Sequence, residues 1–190
     1  MLELTRRIEA ILLMSPSPVT VDALAAACGV DAPTLMPAVD ELQAEYDGQR
    51  HGVAVRLVAG GLQFVVAPDC EAAVVAHSGA RAPDELSPAL LETLSVVAYL
   101  QPTTRSEVAK IRGVAAEWAL ASLEERGLIE ERGRADAPGS PILYATTDRF
   151  LLLFGLNSLA DLPPLEDFQP TQADADELRE RLLANAERRS

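Results

Sequence analysis

The sequence predicts a mainly α-helical protein with small β-hairpins (an α+β fold), built from two tandem copies of one small unit. The pattern P-x-T-x-x-x-[Leu/Val]-x-x-x-x-G-V begins at Pro18 and again at Pro102, so that five matched positions share one offset of 84 residues. Predicted helices and strands also follow each other in the same order around both copies. A repeat of this kind indicates one structural unit used twice.

The first unit begins with three predicted helices. Apolar residues at helical spacing predict a helix over 2–14, which the sequence Ser-Pro-Ser-Pro then stops. Thr20 is a candidate N-cap for a short second helix that Gly29 closes. Asp31 is placed to cap a third helix, in which Pro37 is expected to cause a kink or a delayed start.

Two short strands complete the first unit. The segments VAVRLV and LQFVV are typical of strands, and the sequence Ala-Gly-Gly at 59–61 supplies glycines for a tight hairpin turn. Three helices followed by a hairpin is the element order of a winged helix.

The second unit repeats this order. Ser87 followed by Pro88 predicts the start of its first helix, because serine caps helices and proline fits the first helical position. Thr104 and Glu107 have the spacing of a capping box at the start of the second helix. The remaining elements are a third helix and the two strands of a second wing, predicted over 115–126, 128–131 and 141–145.

These elements divide the chain into four parts. We expect an N-terminal winged-helix domain over 1–78 and a C-terminal winged-helix domain over 87–166. Residues 79–86 are polar and predict a linker. Residues 167–190 are charged and alanine-rich, which indicates a solvated tail that is partly disordered or helical.

Composition indicates a soluble, cytoplasmic chain. Of its 190 residues, 48% are apolar, which is enough for real cores. The longest uninterrupted apolar run near the start, residues 10–14, is too short for a signal peptide or a membrane span. Cys28 and Cys70 are isolated in sequence, so reduced thiols are favoured over a disulfide or a metal site.

The charge distribution argues against direct DNA binding. The net charge is −13, and residues 31–47, which include the third helix of the first unit, hold five acids and no base. The third helix of the second unit holds three acids against Arg126, and positive charge is concentrated locally only at Arg132 and Arg134 on the wing. Because the third helix normally enters the major groove, carboxylates would face phosphates there. The charge therefore favours a protein partner, and a winged-helix transcriptional regulator that binds DNA is the less favoured alternative function.

The sequence lacks familiar catalytic motifs. It has no G-x-x-x-x-G-K-[Ser/Thr], no H-E-x-x-H and no G-x-S-x-G, and neither histidine lies near a candidate nucleophile. Adjacent acids such as Glu124 and Glu125 are typical of solvated charges. We therefore predict that the protein is not an enzyme and has no catalytic residue, cofactor or metal ion.

The second unit carries a specific family resemblance. It contains ETL-x-x-x-AY-x-QP-x-TR-x-E-x-x-x-IRGV, then LEERGLIEERGR, and closes with GLNSLADLPPL. This combination closely resembles the segregation and condensation protein B (ScpB) family of bacteria and archaea, and the resemblance covers about residues 5–166.

The resemblance implies a function in chromosome condensation and segregation. It implies a homodimer of subunits with two winged helices each, which binds the kleisin subunit ScpA. Through ScpA such a dimer joins the SMC ATPase of bacterial condensin, and it is associated with the nucleoid through that complex. Little or no direct binding to DNA and no binding to membranes is expected.

Two places in the sequence depart from the family pattern. After Val114 the family commonly has Asn-Ser-Asp where this chain has Ala-Ala-Glu, and a basic residue often stands at the position of Ser140. Both changes make the surface less polar or less basic. Either they adjust the contact with the partner, or these positions matter less to function.

Candidate partner-binding residues lie in the second unit. Tryptophan is enriched in interface hot spots, but on a short helix it is more often a core residue, which is the interpretation we favour for Trp118. Tyr99 and Leu100 can face the kleisin or the interior, and Arg105 and Arg112 can flank an acidic partner segment or be surface charges. The full set of candidates is Tyr99, Leu100, Arg105, Arg112, Trp118, Arg132 and Arg134.

The candidate dimer interface lies in the first unit, through which the family resemblance implies dimerisation. Its first helix and the alanine-rich second helix offer more apolar face than three short helices and a hairpin need. The candidate residues are Leu4, Ile8, Ile11 and Leu12.

Overall fold

The computed structural model of the chain describes residues 2–78 and 86–165. Those residues form eight α-helices and five β-strands. The helices are α1 Leu2–Met14, α2 Val21–Cys28, α3 Ala32–Glu45, α4 Glu71–Ser78, α5 Pro88–Leu100, α6 Arg105–Arg112, α7 Glu117–Glu125 and α8 Asp148–Phe154. The strands are β1 Val53–Val58, β2 Gly61–Val66, β3 Thr103–Thr104, β4 Ile129–Arg134 and β5 Ile142–Thr146.

The first winged helix, residues 2–66, packs α1, α2 and α3 against one hairpin. Strands β1 and β2 pair antiparallel, and the Val19 backbone extends the sheet through reciprocal N–H to carbonyl bonds of 2.9 and 2.8 Å with Leu62. Its core is made of apolar side chains from all three helices and both strands, among them Ile8, Leu24, Leu35, Leu42 and Val55.

The second winged helix, residues 88–146, packs α5, α6 and α7 against a sheet of three strands in the order β3-β5-β4. Its largest fully buried side chains are Leu94, Val97, Val108, Leu120, Leu123 and Ile129. Two winged helices in tandem, mainly α with small antiparallel sheets, confirm the predicted fold class.

The sequence repeat marks equivalent places in the two units. Thr20 accepts a bond from the Ala23 N–H, and Thr104 is the N-cap of α6 at the matching position. Leu24 and its counterpart Val108 are fully buried. Each second helix then ends at a glycine with left-handed backbone, which favours glycine because it has no Cβ.

The delayed start that Pro37 was expected to cause in α3 is not observed. The helix runs from Ala32 to Glu45 without a delayed start, and Pro37 lies inside it. Proline removes one N–H, whose acceptor would be the carbonyl of the exposed Pro33 in the first turn. Water can satisfy that carbonyl, so the helix tolerates the proline.

Three elements were not predicted. Strand β3 is only two residues long, and α4 consists of residues whose described side chains are all exposed. Helix α8 begins at the N-cap Thr147, which accepts a bond from the Phe150 N–H, and ends at Gly155. The polar first turn and the closing glycine of α8 were signals that the sequence contained.

Several predicted features lie wholly or partly outside the described residues. The predicted tail over 167–190 is outside them, as is the linker apart from Leu86. Within the described part, no helix is long and apolar enough to cross a lipid bilayer. Cys28 is buried as expected and Cys70 is half-buried, and both are free thiols.

Candidate partner-binding surface

Helix α7 presents an aromatic and acidic face to solvent. Its inward positions are taken by Ala119, Leu120 and Leu123, which are buried. Trp118 lies on the other side and is 67% exposed. The core interpretation of Trp118 was therefore wrong, because leucine and alanine side chains take the buried positions of this helix.

Carboxylates share the exposed face of both third helices. Glu117, Glu124 and Glu125 are exposed on α7, and α3 exposes Asp40 and Glu41 among its acids. Each of these helices occupies the position that enters the major groove in DNA-binding winged helices. Their charge would repel phosphates, while Trp118 provides a large flat apolar surface suited to a protein.

Further apolar side chains are exposed near the ends of α5 and α6. Leu100 is exposed and Tyr99 half-buried at the end of α5, so the interior alternative fails for Leu100. Ile111 and Val114 are each 55% exposed and were not among the predicted site residues. The repeat gave no signal for Val114, because only the structure shows that its counterpart Val30 packs against the first core while Val114 is exposed.

Arg112 is a structural residue and not a surface charge. Its side chain is only 9% exposed. One guanidinium nitrogen donates to the Thr93 hydroxyl at 2.8 Å and another to the Glu92 carboxylate at 2.8 Å. These bonds tie α6 to α5, so the assignment of Arg112 to partner binding is corrected.

Arg105 and Arg134 line one cleft between the start of α6 and the second wing. The cleft has a volume of about 280 Å³. The other residues that line it are Ser106, Gly139, Ser140, Pro141, Ile142 and Tyr144. Sequence reasoning selected both arginines, but sequence spacing gave no indication that α6 and the wing place them on the same cleft.

The two arginines differ in their present partners. Arg105 Nε lies 3.7 Å from a carboxylate oxygen of Glu117, and both side chains are more than half exposed. Arg134 Nη1 donates to the backbone carbonyl of Ser140 at 2.9 Å. Within the described residues, no carboxylate lies at ion-pair distance from Arg134.

Tyr144 forms part of the cleft wall. Burial raises the pKa of its hydroxyl above the ordinary value near 10, and the charges of Glu124 and Glu131 raise it further. The hydroxyl therefore remains protonated at neutral pH and is able to donate a hydrogen bond.

Arg132 lies on the same strand as Arg134 but outside the cleft. Its Nε donates to the Glu130 carboxylate at 2.7 Å, and both side chains are exposed. The predicted pair of wing arginines is thus divided, since one is neutralised by its neighbour and the other faces the cleft.

The predicted dimer residues lie mostly in the core of the first winged helix. Ile8 and Leu12 are 0% and 2% exposed, while Leu4 and Ile11 are partly buried against the same core. Ile8 and Leu12 have no surface to offer another chain, which corrects their assignment. The exposed apolar residues of α1 are instead Leu2, Leu13 and Met14.

Helix α4 also exposes apolar residues in the first half of the chain. Val74 and Val75 are each 46% exposed.

The described residues include no group of three or more histidines, cysteines, aspartates or glutamates that could hold a metal ion.

Comparison with known proteins identifies relatives over most of the chain. The family model described as segregation and condensation complex subunit ScpB matches residues 6–165. Segregation and condensation protein B of Moorella thermoacetica is 44% identical over 174 residues, which cover 90% of this chain and 87% of the relative. The protein of the same name from Symbiobacterium thermophilum is 43% identical over 84% of this chain and 72% of its own length.

A solved structure is also similar in sequence. The crystal structure of ScpB from Mycobacterium tuberculosis is 38% identical, with 81% of this chain and 96% of that chain covered and a TM-score of 0.38.

Proposed function

Since the chain belongs to the ScpB family of segregation and condensation complex subunits, we propose that it is a non-catalytic, kleisin-binding subunit. It acts in chromosome segregation and condensation. Its direct partner is the kleisin ScpA, and ScpA connects it to the SMC ATPase in the cytoplasm, at the nucleoid.

The exposed Trp118 is the observation that carries this proposal. A tryptophan that is 67% exposed leaves a large apolar surface in water, and burying it against a partner removes that surface. Tryptophan is also among the residues that most often dominate interface energies. Its position among the carboxylates of α7 favours a protein partner over DNA.

The two winged helices have different binding partners in this proposal. The C-terminal domain, 87–166, binds the kleisin through the exposed face of α7 together with Leu100. The N-terminal domain, 1–78, forms the homodimer through the exposed apolar residues of α1 and α4. Leu13 and Met14, at 71% and 80% exposed, supply apolar surface that a second copy of the chain would cover.

The proposal is tested with two variants that serve as controls for each other. Trp118→Ala is expected to raise the Kd for purified ScpA about thirtyfold, measured by isothermal titration calorimetry, as for a hot-spot residue. Its dimer mass, measured by light scattering, is expected to stay unchanged. Leu13→Glu is expected to shift the mass toward the monomer, because it puts a charge into the apolar interface.

The outcomes separate the two parts of the proposal. If wild-type chain and ScpA form no complex at low salt, kleisin binding is overturned. If the wild-type chain sediments as a monomer at micromolar concentration, the dimer is overturned. Salt-sensitive binding to a DNA duplex that is lost on changing Arg132 and Arg134 would favour the alternative, a winged-helix DNA-binding transcriptional regulator.

A further inference from the structure

We propose that the cleft between the start of α6 and the second wing binds a carboxylate side chain, an aspartate or glutamate in an acidic segment of the partner protein. Arg105 and Arg134 supply the two guanidinium groups that recognise it. This inference rests on the proposed function and adds the chemistry by which the partner is recognised.

The charge of the cleft differs from that of the chain around it. The net charge of the whole protein is −13, and yet two arginines line one small cleft. Guanidinium groups bind carboxylates through paired hydrogen bonds, which give geometric specificity as well as energy. Two such groups at one cleft are therefore suited to a carboxylate.

Neither arginine is committed to a strong ion pair. The 3.7 Å separation between Arg105 and Glu117 is long, and an exposed pair of this kind contributes little to stability. Arg134 donates to the Ser140 carbonyl, which fixes the direction of the side chain without neutralising its charge. An incoming carboxylate would replace a weak pair at Arg105 and give Arg134 an acidic partner that it lacks among the described residues.

The wing that forms the cleft is held in place by its own backbone. The Ala135 N–H donates to the Pro141 carbonyl at 2.8 Å, and the Ser140 N–H donates to the Ala137 carbonyl at 2.8 Å. Together with the bond from Arg134, these contacts order the tip before any ligand arrives. Less conformational entropy is then lost on binding.

The Tyr144 hydroxyl is a further donor of the cleft, which Tyr144 lines. Ser106 also lines the cleft, but its hydroxyl donates to the Thr104 hydroxyl at 3.1 Å, because the proton of Thr104 is itself donated to Glu107. A carboxylate has two oxygens with lone pairs for several donors. The cleft can therefore satisfy it with its guanidinium groups and the Tyr144 hydroxyl together.

Acids around the cleft favour a peptide over a nucleic acid. Glu117 lies beside Arg105, and Glu124 and Glu131 are close enough to influence Tyr144. A DNA duplex carries phosphates along its whole length and would bring several of them against these acids. One carboxylate side chain on a peptide reaches the arginines while bringing fewer negative charges against these acids than a duplex would.

The test measures binding of purified ScpA to the full-length chain by isothermal titration calorimetry. Arg105→Glu and Arg134→Glu each reverse one charge of the cleft, and each is expected to raise the Kd about tenfold or more. Arg132→Glu is the matched control, because it reverses an exposed charge on the same strand outside the cleft, and it is expected to change the Kd less than about threefold. Thermal melting establishes that each variant is folded. If a reversed variant is not folded, the glutamine variant of the same residue, Arg105→Gln or Arg134→Gln, replaces it.

A charge exchange gives a second measurement. Single aspartate or glutamate to arginine substitutions in ScpA are screened against Arg134→Glu, and at least one is expected to restore binding. A variant that acts only by disturbing the fold would not be rescued in this way, so rescue supports direct recognition.

The contrary outcomes are distinct. If both reversed variants bind ScpA with a Kd within about threefold of wild type while Trp118→Ala still weakens the complex, the proposed cleft site is overturned and the proposed function is not. A wild-type chain that does not bind ScpA overturns the proposed function itself. If the wild-type chain binds a short DNA duplex and Arg134→Glu abolishes that binding, the cleft is a nucleic-acid site and not a peptide site.

Discussion

Gly60 donates its backbone N–H to Asn157 Oδ1 at 3.1 Å across a sequence separation of 97 residues. The neighbouring Ala59 N–H donates to the Leu156 carbonyl at 2.9 Å. Both donors belong to the turn of the first hairpin, and both acceptors follow the end of α8. The closing GLN sequence of the second unit thus supplies hydrogen-bond acceptors to the first winged helix, which connects a family-specific segment to a structural role.

Replacing Asn157 tests this connection. Asn157→Ala is expected to lower the free energy of unfolding by about 1 kcal/mol, because one hydrogen bond to the turn is lost. The Gly60 amide should also exchange with solvent faster, as measured by NMR hydrogen exchange. Asn157→Asp keeps an acceptor oxygen and serves as the control. Unchanged exchange at Gly60 in the alanine variant would contradict the role of Asn157.

The two glycines of the same hairpin are expected to respond differently to alanine. A Cβ at Gly60 meets nothing within 4 Å, so Gly60→Ala should cost only the strain of its positive φ of 76°, about 1 kcal/mol. A Cβ at Gly61 would lie 2.8 Å from the Pro18 Cβ and 2.9 Å from the Val19 nitrogen. Gly61→Ala should therefore cost roughly 2 to 3 kcal/mol, measured by urea unfolding. Equal costs would contradict the steric clash at Gly61, because Gly61 lacks the positive φ that strains alanine at Gly60.

Arg112 is expected to affect folding rather than binding. Arg112→Ala removes its bonds to Thr93 and Glu92 together with buried methylene groups, and should lower the free energy of unfolding by about 2 kcal/mol. Arg112→Met keeps most of the apolar packing and should cost less. The Kd of the folded variants for ScpA should match that of wild type in calorimetry. A weakened complex with unchanged stability would instead return Arg112 to the binding surface.

The capping box of α6 predicts a specific acid sensitivity. The backbone N–H of Thr104 donates to Glu107 Oε2 at 2.7 Å, and this bond, followed by that of the Thr104 hydroxyl, lowers the pKa of the carboxyl below its ordinary value near 4.5. The folded chain therefore holds the ionised form more tightly than the unfolded chain does. The stabilisation is complete above about pH 5 and is lost as the pH falls through the lowered pKa.

Glu107→Gln checks this dependence. Glutamine can keep the capping geometry but cannot ionise, so the variant should lose less stability than wild type between about pH 5 and pH 3 in urea unfolding. Glu125→Gln removes a charge from an exposed position of α7 and should leave the wild-type slope nearly unchanged. Parallel pH curves for wild type and Glu107→Gln would refute the contribution of the capping carboxylate.

Local signals in the sequence were sufficient for most of the fold. Helix ends depend on neighbouring residues, and so Thr20, Ser87 and Thr104 indicated caps that the structure contains. The repeat located equivalent positions because the same burial and the same left-handed backbone are required in both units. Helix α4 was missed because its apolar residues have no inward face that would give them a helical pattern.

The candidate surface was harder to predict because it depends on which side of a helix faces the core. Trp118 and Arg112 are both on short helices. Burial of Leu120 and Leu123 on α7 shows that Trp118 faces solvent, and the bond to Thr93 shows that Arg112 faces the interior. Likewise, Arg105 and Arg134 share a cleft through the fold of the wing and not through sequence spacing. Long-range placement of this kind leaves no local signal.

The only tryptophan in the chain gives a direct report on the proposed kleisin-binding surface. Because Trp118 is 67% exposed, the fluorescence of the free protein should resemble that of tryptophan in water and should be quenched by iodide. When ScpA covers α7, the emission should shift to shorter wavelength and the quenching should fall, since the indole leaves water. A ScpA variant or fragment without tryptophan keeps the signal specific, and Trp118→Phe should abolish it. Unchanged emission in a complex whose mass is verified by light scattering would show that the kleisin does not cover Trp118, and would overturn α7 as its binding face.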